Sequence, residues 1–564
     1  MKFEEMPLVV PNLKKAEKTF SALESRIKNA QTKEEAIKVV KDYFKASDEL
    51  ESEITIISIR NSINTRDETY EKANEVCNEI LPVISGYTQS FNKALVESKF
   101  KPELEEKFGK YLFDRIENSF KTFNESIIPE LQQENKLVTE YEKLMASAQI
   151  EFKGEKRNLS QLGKFLSDTD RNTRLEAAKL YFGFLSDNDK RFGEIYDELV
   201  KIRTRMAQKL GYKNYVELGY LRLDRLDYNA EMVKGYRDQI YECVVPVVKK
   251  LRERQAKRLN IKNPLFIDYN LEFLSGNAKP VGNTEYLVDC ASKMYHEMSS
   301  ESGKFFDFMV DNHLMDLDAK AGKRGGGYMT FIPRYKSPFI FANSNGTSQD
   351  VDTLTHEVGH AFQGYLCANV KVPDYRMPTL EACEIDSMSM EFFAWPWMNL
   401  FFKDQADKYR FSHLDGAISF LPYGVEVDEF QHFVYENPNI THEERCKKWA
   451  ELEKKYRPWL NYEGFDYLIN GKYWIRQSHI FASPFYYIDY TLAQVIALQF
   501  KCLMDKNYAK AWKKYIKLLK LGGKYPFLTL LEKAKLRNPF IDGNVKKVIK
   551  PQIKVLDSFD DKNF

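Results

Sequence analysis

The chain has 564 residues, a length that allows a large hydrophobic core and more than one lobe. Charged residues make up 29% and hydrophobic residues 43%, which excludes the compositions of disordered and collagen-like chains. The 84 Lys and Arg residues nearly balance the 82 Asp and Glu residues, and a net charge of +2 gives no basis for nucleic-acid binding.

Long amphipathic helices are predicted from about Leu13 to about Ala148, where apolar residues recur at three- and four-residue spacing. The stretch 149–162 instead alternates around Lys153-Gly154, which predicts a short hairpin. Helical periodicity then resumes. The chain contains no fixed-period repeat and no low-complexity linker. These patterns predict a mainly α protein.

The character of the sequence changes between about Asn260 and Thr353, where Gly, Pro, Ser and Asn separate short apolar runs. The runs YMTFI and FIFAN predict short strands, and Gly325–Gly327 would be unfavourable in a helix. We therefore expect a small antiparallel sheet inserted into a helical protein. Helices should return after it, with Asp350 or Asp352 as the N-cap of the next one.

Cysteine usage and hydropathy bear on the compartment. The 7 Cys residues are scattered and form no CxxC pair, which argues against a disulfide framework and against a thiolate metal site. The first residues lack the apolar core of a signal peptide, and no apolar run reaches the roughly 18 residues of a membrane helix. These features predict a cytoplasmic protein that does not interact with membranes.

The segment TLTHEVGHAFQGYL carries two of the 8 histidines, His356 and His360, four residues apart. On a helix both imidazoles lie on one face and can be directed at one zinc ion. Glu357 follows the first histidine and projects to the side, where it is a candidate general base. Gly359 is costly inside a helix, by roughly 1 kcal/mol relative to alanine. It predicts a close approach of another backbone or of a substrate.

A catalytic zinc usually has three protein ligands and one open position. Because no Cys cluster is nearby, the third ligand should be a carboxylate or another histidine. The segment TLEACEIDSMSMEFFAWPW has helical periodicity and supplies several acids, namely Glu381, Glu384, Asp386 and Glu391. Spacing leaves Glu381 and Glu384 both open as the ligand, and a solvated acidic helix face is the alternative. Glu384 and Glu391 share a face, so one could bind metal while the other hydrogen-bonds a ligand.

The motif H-E-V-G-H followed by E-I-D-S-M-S-M-E resembles the zinc oligopeptidases of the thimet oligopeptidase and oligoendopeptidase F group, in the oligoendopeptidase F or Pz-peptidase branch. Residues 211–228, 427–438 and 479–493 are also similar to segments of that branch. The resemblance implies that Glu384 is the third ligand of one zinc ion per chain and that Glu391 is its companion.

The resemblance also implies an elongated, two-lobed helical fold with a deep substrate channel and the small antiparallel sheet next to the metal helix. We assign residues 1–195 to an N-terminal helical lobe and residues 196–564 to the catalytic domain. The implied activity is cleavage of internal bonds of short peptides, because folded proteins cannot enter such a channel. The expected partners are therefore short peptide substrates, with monomer and homodimer both open.

A tetrahedral oxyanion requires hydrogen-bond donors where its charge develops. The resemblance assigns this role to His479, Tyr487 and Tyr490, with Tyr486 as an adjacent alternative in the crowded FYYIDY run. His432 in EFQH is a further family-like position, for which a structural hydrogen bond is expected.

In zinc peptidases an edge strand before the metal helix pairs with the extended substrate backbone. The strand in GGGYMTFI corresponds to it, which makes Gly326, Gly327 and Tyr328 candidate substrate-binding residues. The alternative is that the glycines only form a flexible turn.

Our hypothesis is metal-assisted hydrolysis of internal peptide bonds, with Glu357 as the general base. One alternative is a zinc carboxypeptidase or dipeptidase of related fold. Another is a non-catalytic peptide-binding protein. Two imidazoles and a carboxylate also accept cobalt or manganese, so the pattern predicts a divalent ion and favours zinc.

Overall fold

The structure of the protein, a computed structural model, describes residues 1–320 and 322–564. The prediction of a mainly α protein is confirmed, and no helix in this part of the chain is both long and apolar enough to cross a membrane. The strands are β1 (Ile150–Phe152), β2 (Glu155–Arg157), β3 (Met315–Asp318), β4 (Tyr328–Ile332) and β5 (Ser337–Ser344). The α-helices are α1 (Leu13–Lys28), α2 (Lys33–Ile63), α3 (Glu68–Val96), α4 (Lys101–Phe108), α5 (Lys110–Thr122), α6 (Ile128–Ala146), α7 (Leu159–Gly163), α8 (Arg171–Asp187), α9 (Asp189–Lys209), α10 (Tyr215–Arg222), α11 (Ala230–Cys243), α12 (Val245–Arg258), α13 (Thr284–Met298), α14 (Ser300–Asp311), α15 (Ser348–Cys367), α16 (Leu380–Phe393), α17 (Met398–Phe402), α18 (Ala406–Glu436), α19 (His442–Tyr456), α20 (Asp466–Ile469), α21 (Ser478–Ala482), α22 (Tyr487–Leu519, with a kink at Asn507), α23 (Phe527–Lys533) and α24 (Asn544–Ser558).

The hairpin predicted within 149–162 is confirmed. Strand β1 pairs antiparallel with β2, so that Ile150 lies opposite Arg157. The turn between them uses Lys153 and Gly154, whose φ angles are 52° and 77°. Positive φ at both central residues is what a tight two-residue hairpin turn requires.

The three-stranded sheet has the order β3-β5-β4. Strand β4 runs antiparallel to β5, with Tyr328 opposite Phe341, so the predicted strands YMTFI and FIFAN are confirmed. Strand β3 was not predicted, and it runs parallel to β5 with Met315 opposite Ile340. The sheet is therefore mixed rather than purely antiparallel. The sequence MDLD of β3 has too few apolar residues to indicate a strand by itself.

The expectation that irregular structure and strands fill the stretch from about Asn260 to Thr353 was wrong for part of it. Helices α13 and α14 occupy Thr284–Met298 and Ser300–Asp311. Each helix starts at a residue whose side chain accepts a hydrogen bond from the first turn, Asn283 for α13 and Ser299 for α14. The Gly, Pro and Asn residues around them obscured this pattern, because the same residue types mark both turns and helix caps.

The chain forms two compact units, and neither is one continuous stretch. The first consists of Met1–Ser119, Lys279–Lys403 and Leu503–Ala534, and the second of Phe120–Ala278, Asp404–Cys502 and Lys535–Phe564. The boundary expected between residues 195 and 196 lies inside α9, within the second unit. As a division into functional domains it stays a prediction.

Within the first unit, the buried strand β5 packs against α15, and α15 packs against α16. The contact between the two helices is closest at Gly359. A Cβ atom added there would lie 2.7 Å from the carbonyl oxygen of Asp386, 2.7 Å from Cα of Ser387 and 3.0 Å from Cβ of Met390. The predicted close approach at Gly359 is confirmed, and the partner is the backbone of α16.

Replacing Gly359 with alanine should destabilise the protein, although alanine favours helices. The new methyl group would meet backbone atoms of α16, and overpacking of this kind costs about 1–3 kcal/mol, which exceeds the ~1 kcal/mol gained in helix propensity. We expect a lower apparent Tm in thermal unfolding followed by circular dichroism.

A matched control is Gly235→Ala in α11, where an added Cβ has nothing within 4 Å. This variant should be as stable as the parent or slightly more stable. Equal Tm changes for the two alanine variants would contradict the packing argument.

Candidate active site

The HEVGH segment lies in α15, and the second acidic motif lies in α16. Helix α15 begins at Ser348, so the predicted N-cap at Asp350 or Asp352 was wrong. The Asp350 carboxylate instead accepts hydrogen bonds from the backbone N–H groups of Asn345 and Gly346, at 2.9 and 2.6 Å. It thereby holds the turn that leads from β5 into the helix.

His356, His360 and Glu384 form a three-residue cluster whose potential ligand atoms lie within 4.8 Å of one another. Oε2 of Glu384 is 3.3 Å from Nε2 of His356 and 3.7 Å from Nε2 of His360. Donor atoms around a tetrahedral zinc ion, with bonds of about 2.0–2.2 Å, are about 3.3–3.6 Å apart. The donor types therefore fit zinc, and the two separations from Glu384 are close to this range.

The structure distinguishes the two carboxylates that spacing left open. Glu384 joins the two histidines, whereas Glu381 is buried one helical turn earlier in α16 and is not part of the cluster. Ser387, which sequence reasoning missed, has its hydroxyl 3.2 Å from Oε2 of Glu384 and donates to that carboxylate. A donor at this position orients the candidate ligand.

Glu391 lies behind the first histidine. Its Oε1 atom is 2.7 Å from Nδ1 of His356, so Nδ1–H donates to the carboxylate and Nε2 keeps its lone pair for a metal. The contact is compatible with the companion role expected for Glu391, which stays a prediction. Glu384 and Glu391 thus contact opposite nitrogens of one imidazole ring.

The electrostatics of the two histidines differ. Burial lowers the pKa of His360 to about 4, so this ring is neutral and able to donate a lone pair. Burial also acts to lower the pKa of His356, but hydrogen bonds to Glu384 and Glu391 raise it well above its usual value. The carboxylates of Glu384 and Glu391 therefore stabilise positive charge beside His356. A bound metal cation would supply such a charge.

Glu357 is adjacent to the cluster and almost fully buried. Burial raises the pKa of its carboxyl group to about 7, and the neighbouring His356 opposes this rise. A Cβ atom added to Gly327 would lie 3.7 Å from Oε1 of Glu357. The beginning of β4 therefore lies directly beside the candidate base.

The glycine-rich segment before β4 is held by side chains from the sheet. Gly326 has a φ of 88°, which favours glycine, and an added Cβ would meet nothing within 4 Å. The Asn343 side chain donates to the carbonyl oxygens of Arg324 and Gly326, both at 2.8 Å. Tyr328 stacks on Phe341 with ring centroids 4.9 Å apart. These contacts argue against an unconstrained turn.

Lys323, another residue that the sequence did not single out, anchors the same segment. Its side chain is fully buried, and its ammonium group donates to Oδ1 of Asp316 at 2.5 Å and to the carbonyl oxygens of Asp318 and Ala342 at 2.8 and 2.5 Å. The same ammonium lies 4.6 Å from the centre of the Phe341 ring. One cation therefore connects this segment to β3 and β5.

Strand β4 has one strand neighbour, β5, among the residues that the structure describes. Gly327, directly before β4, lies beside the Glu357 carboxylate. An edge strand beside a catalytic group can pair with an extended peptide. The position of β4 is thus compatible with the role expected for Gly326, Gly327 and Tyr328.

The predicted oxyanion residues lie in the second unit, where the structure brings all four together. The His479 ring centre is 5.9, 5.0 and 5.6 Å from those of Tyr486, Tyr487 and Tyr490. Nε2 of His479 lies 3.4 Å from the Tyr490 hydroxyl. All four side chains are half-buried, so each keeps surface that a ligand can contact.

Two residues behind His479 were not identified from the sequence. Nε2 of Gln477 is 2.7 Å from Nδ1 of His479, and the Tyr423 hydroxyl is 2.7 Å from Oε1 of Gln477. Tyr423 comes from α18, far away in the chain, so no local pattern could have indicated the contact.

His432 makes the structural hydrogen bond that was expected of it. Its Nε2 atom is 3.0 Å from the Tyr220 hydroxyl and 3.5 Å from Oδ2 of Asp428. Burial lowers the pKa of His432 to about 4, which keeps the ring neutral.

Comparison with known proteins gives matches over most of the chain. The model of the Peptidase M3 N-terminal domain matches residues 3–123, and that of Peptidase family M3 matches residues 269–548. An oligoendopeptidase F homolog of Borreliella burgdorferi is 23% identical over 527 residues, which are 86% of this chain and 85% of that protein.

Two solved structures have higher sequence identity to this chain than the Borreliella burgdorferi protein has. Pz peptidase A, in a complex with an inhibitor, is 48% identical with a TM-score of 0.96, and the match covers 100% of both chains. A protein from Bacillus anthracis str. Ames, assigned as an oligoendopeptidase F, is 46% identical with a TM-score of 0.92 over 100% of this chain and 99% of that one.

Removing the carboxylate of Glu391 should weaken zinc binding. Glu391→Ala leaves Nδ1 of His356 without its acceptor, and loss of such a partner typically costs about 10–100-fold in metal affinity. Competition with a chromogenic chelator measures this. Glu381→Gln, at the carboxylate outside the cluster, should bind zinc within about twofold of the parent. The assignment fails if Glu381→Gln loses the metal and Glu391→Ala retains it.

Proposed function

The chain belongs to Peptidase family M3, in its oligoendopeptidase F and Pz-peptidase branch, and from this premise we propose the reaction that its site performs. It is a metallopeptidase that cleaves oligopeptides. The finer proposal is a zinc-dependent endopeptidase that hydrolyses internal bonds of short oligopeptides. The observation that supports it best is the convergence of His356, His360 and Glu384 beside the buried Glu357.

In this proposal His356, His360 and Glu384 hold one zinc ion, and Glu391 and Ser387 orient two of these ligands. When bound, zinc supplies positive charge that makes a water molecule more acidic and polarises the scissile carbonyl group. The donor set, two imidazoles and one carboxylate, is one that catalytic zinc sites use.

Glu357 acts as the general base. Its carboxylate accepts a proton from the attacking water and delivers that proton to the nitrogen of the leaving amine. One residue therefore serves both halves of the reaction.

Strand β4 positions the substrate. An extended peptide that pairs with the outer edge of β4 is held by backbone hydrogen bonds, which do not depend on its sequence. Gly326 leaves room for a second backbone near Tyr328, because an added Cβ atom there would meet nothing within 4 Å.

The loop of His479, Tyr486, Tyr487 and Tyr490 supplies donors to the oxyanion. The ring contacts within this cluster support a shared role. Burial raises the pKa of Tyr487, so its hydroxyl group stays protonated and able to donate. Preorganised donors of this kind stabilise charge as it develops in the transition state.

Glu357→Gln should lose about 10²- to 10⁴-fold in kcat, because the amide cannot accept the proton. A quenched fluorescent peptide measures turnover, and elemental analysis should show an unchanged zinc content. The control is Glu301→Gln, the same substitution at an exposed position of α14, which should keep full activity. Substantial turnover by Glu357→Gln with zinc bound would contradict the assigned role.

A peptide blocked by acetylation and amidation should be cut at internal bonds, because pairing along β4 needs no free terminus. Mass spectrometry of the products from blocked and unblocked forms of one peptide measures this. Cleavage that requires a free carboxylate would instead favour the carboxypeptidase alternative.

A further inference from the structure

The chemistry of His479 depends on which ring nitrogen carries the proton. A neutral imidazole has one N–H donor and one lone pair, and the hydrogen bond made by one nitrogen decides the state of the other. Nε2 lies 3.4 Å from the Tyr490 hydroxyl. If the proton is on Nε2, this nitrogen can donate a hydrogen bond. If the proton is on Nδ1, Nε2 presents a lone pair, which would repel an oxyanion.

The Gln477 side chain contacts Nδ1 at 2.7 Å, and its two amide atoms have opposite consequences. The amide NH₂ group donates and would leave Nδ1 unprotonated, whereas the amide oxygen accepts and would require Nδ1–H. The orientation of this amide therefore determines the tautomer of His479.

Tyr423 determines the orientation of the amide. Its hydroxyl lies 2.7 Å from Oε1 of Gln477. In the described part of the chain, the hydroxyl has no other hydrogen-bond partner. Burial raises the pKa of Tyr423 well above its usual value, so the hydroxyl keeps its proton and donates. In the opposite amide orientation that proton would lose its acceptor.

The Tyr423 ring is itself held in place. The Arg457 guanidinium lies 4.7 Å from its centre, and the Tyr487 ring packs against it edge-to-face at 5.7 Å. Arg457 is fixed in turn by Glu426 and Glu453, at 2.7 Å each. The direction of the Tyr423 hydroxyl is thus set by packing and by charge.

We propose that Gln477 is a positioning residue which, held by Tyr423, keeps His479 in the neutral tautomer that carries its proton on Nε2. The Tyr423 hydroxyl donates to Oε1 of Gln477, the amide NH₂ group donates to Nδ1, and Nε2–H remains available as a donor. The inference deepens the proposed function and rests on it for the catalytic use of that proton, but the tautomer itself can be measured separately.

Long-range ¹H–¹⁵N correlation spectra of the zinc-loaded protein, labelled at its 8 histidines, report the tautomer directly. The signal of His479 is identified by its loss in His479→Gln. At about pH 8, above the usual imidazole pKa of ~6.5, we expect an unprotonated Nδ1 and a protonated Nε2. A proton on Nδ1, alone or together with Nε2, would overturn the proposal.

The variants Gln477→Leu and Tyr423→Phe test whether these two side chains determine the tautomer of His479. Both should move His479 toward a mixture of tautomers and lower kcat about tenfold with KM within about twofold, because a transition-state donor is lost in part of the molecules. Tyr269→Phe is the matched control, since it removes a hydroxyl that donates to the Trp459 carbonyl at 3.5 Å. Unchanged His479 spectra in both variants would overturn the assigned roles of Gln477 and Tyr423.

The two proposals fail in distinguishable ways. If His479→Gln keeps full turnover while the parent spectrum shows Nε2–H, the catalytic role of His479 is wrong and the tautomer assignment stands. If His479→Gln loses activity while the parent carries its proton on Nδ1, the role stands and the inference about Gln477 is wrong.

Discussion

The distance between helices α15 and α16 is the constraint on which the candidate metal centre depends. His356 and His360 come from one helix and Glu384 from the other, so the three donor atoms converge only if the helix axes are held at one separation. At Gly359 the backbone of α16 occupies the space that any side chain would need. Gly359 accordingly lowers the helix propensity of α15, but it allows α16 to approach closely enough for Glu384 to reach the two histidines.

A second group of contacts holds β4 and the glycine-rich segment before it beside α15. Glu357 lies beside Gly327 at the start of β4, and the segment before β4 is connected to the sheet through Asn343 and Lys323. A buried ammonium is stable only when oxygens surround it, and Lys323 has a carboxylate and several carbonyl groups. The candidate base therefore lies beside a strand that hydrogen bonds hold in the sheet.

Local periodicity predicted most of the helices, the hairpin and two of the strands, because amphipathic spacing and turn residues are encoded within a few positions. It failed where the signal was short or mixed, as in β3, or where caps resembled loops, as around α13 and α14. The i, i+4 histidines could be recognised since both are on one helix. The choice of Glu384 over Glu381 followed from the family motif rather than from spacing.

Other site residues could not have been found from sequence patterns. The hydrogen bonds that single out Gln477, Lys323 and Ser387 are made to Tyr423, Ala342 and Glu384, and each of these is a contact in space. Composition and spacing contain no information about such partners when many residues separate them. Residues that act through distant neighbours are thus the hardest part of a site to predict from sequence.

The segmented first unit has a consequence for synthesis on the ribosome. Helix α16 and the connection from α15 to α16 contact the late segment Leu503–Ala534: the Tyr515 hydroxyl donates to the carbonyl oxygen of Asp386 at 2.6 Å, and the Gly523 N–H group donates to that of Tyr375 at 3.0 Å. Because the unit includes Leu503–Ala534, its core cannot close until that segment has been translated. Residues 1–502 emerge from the ribosome before this can happen.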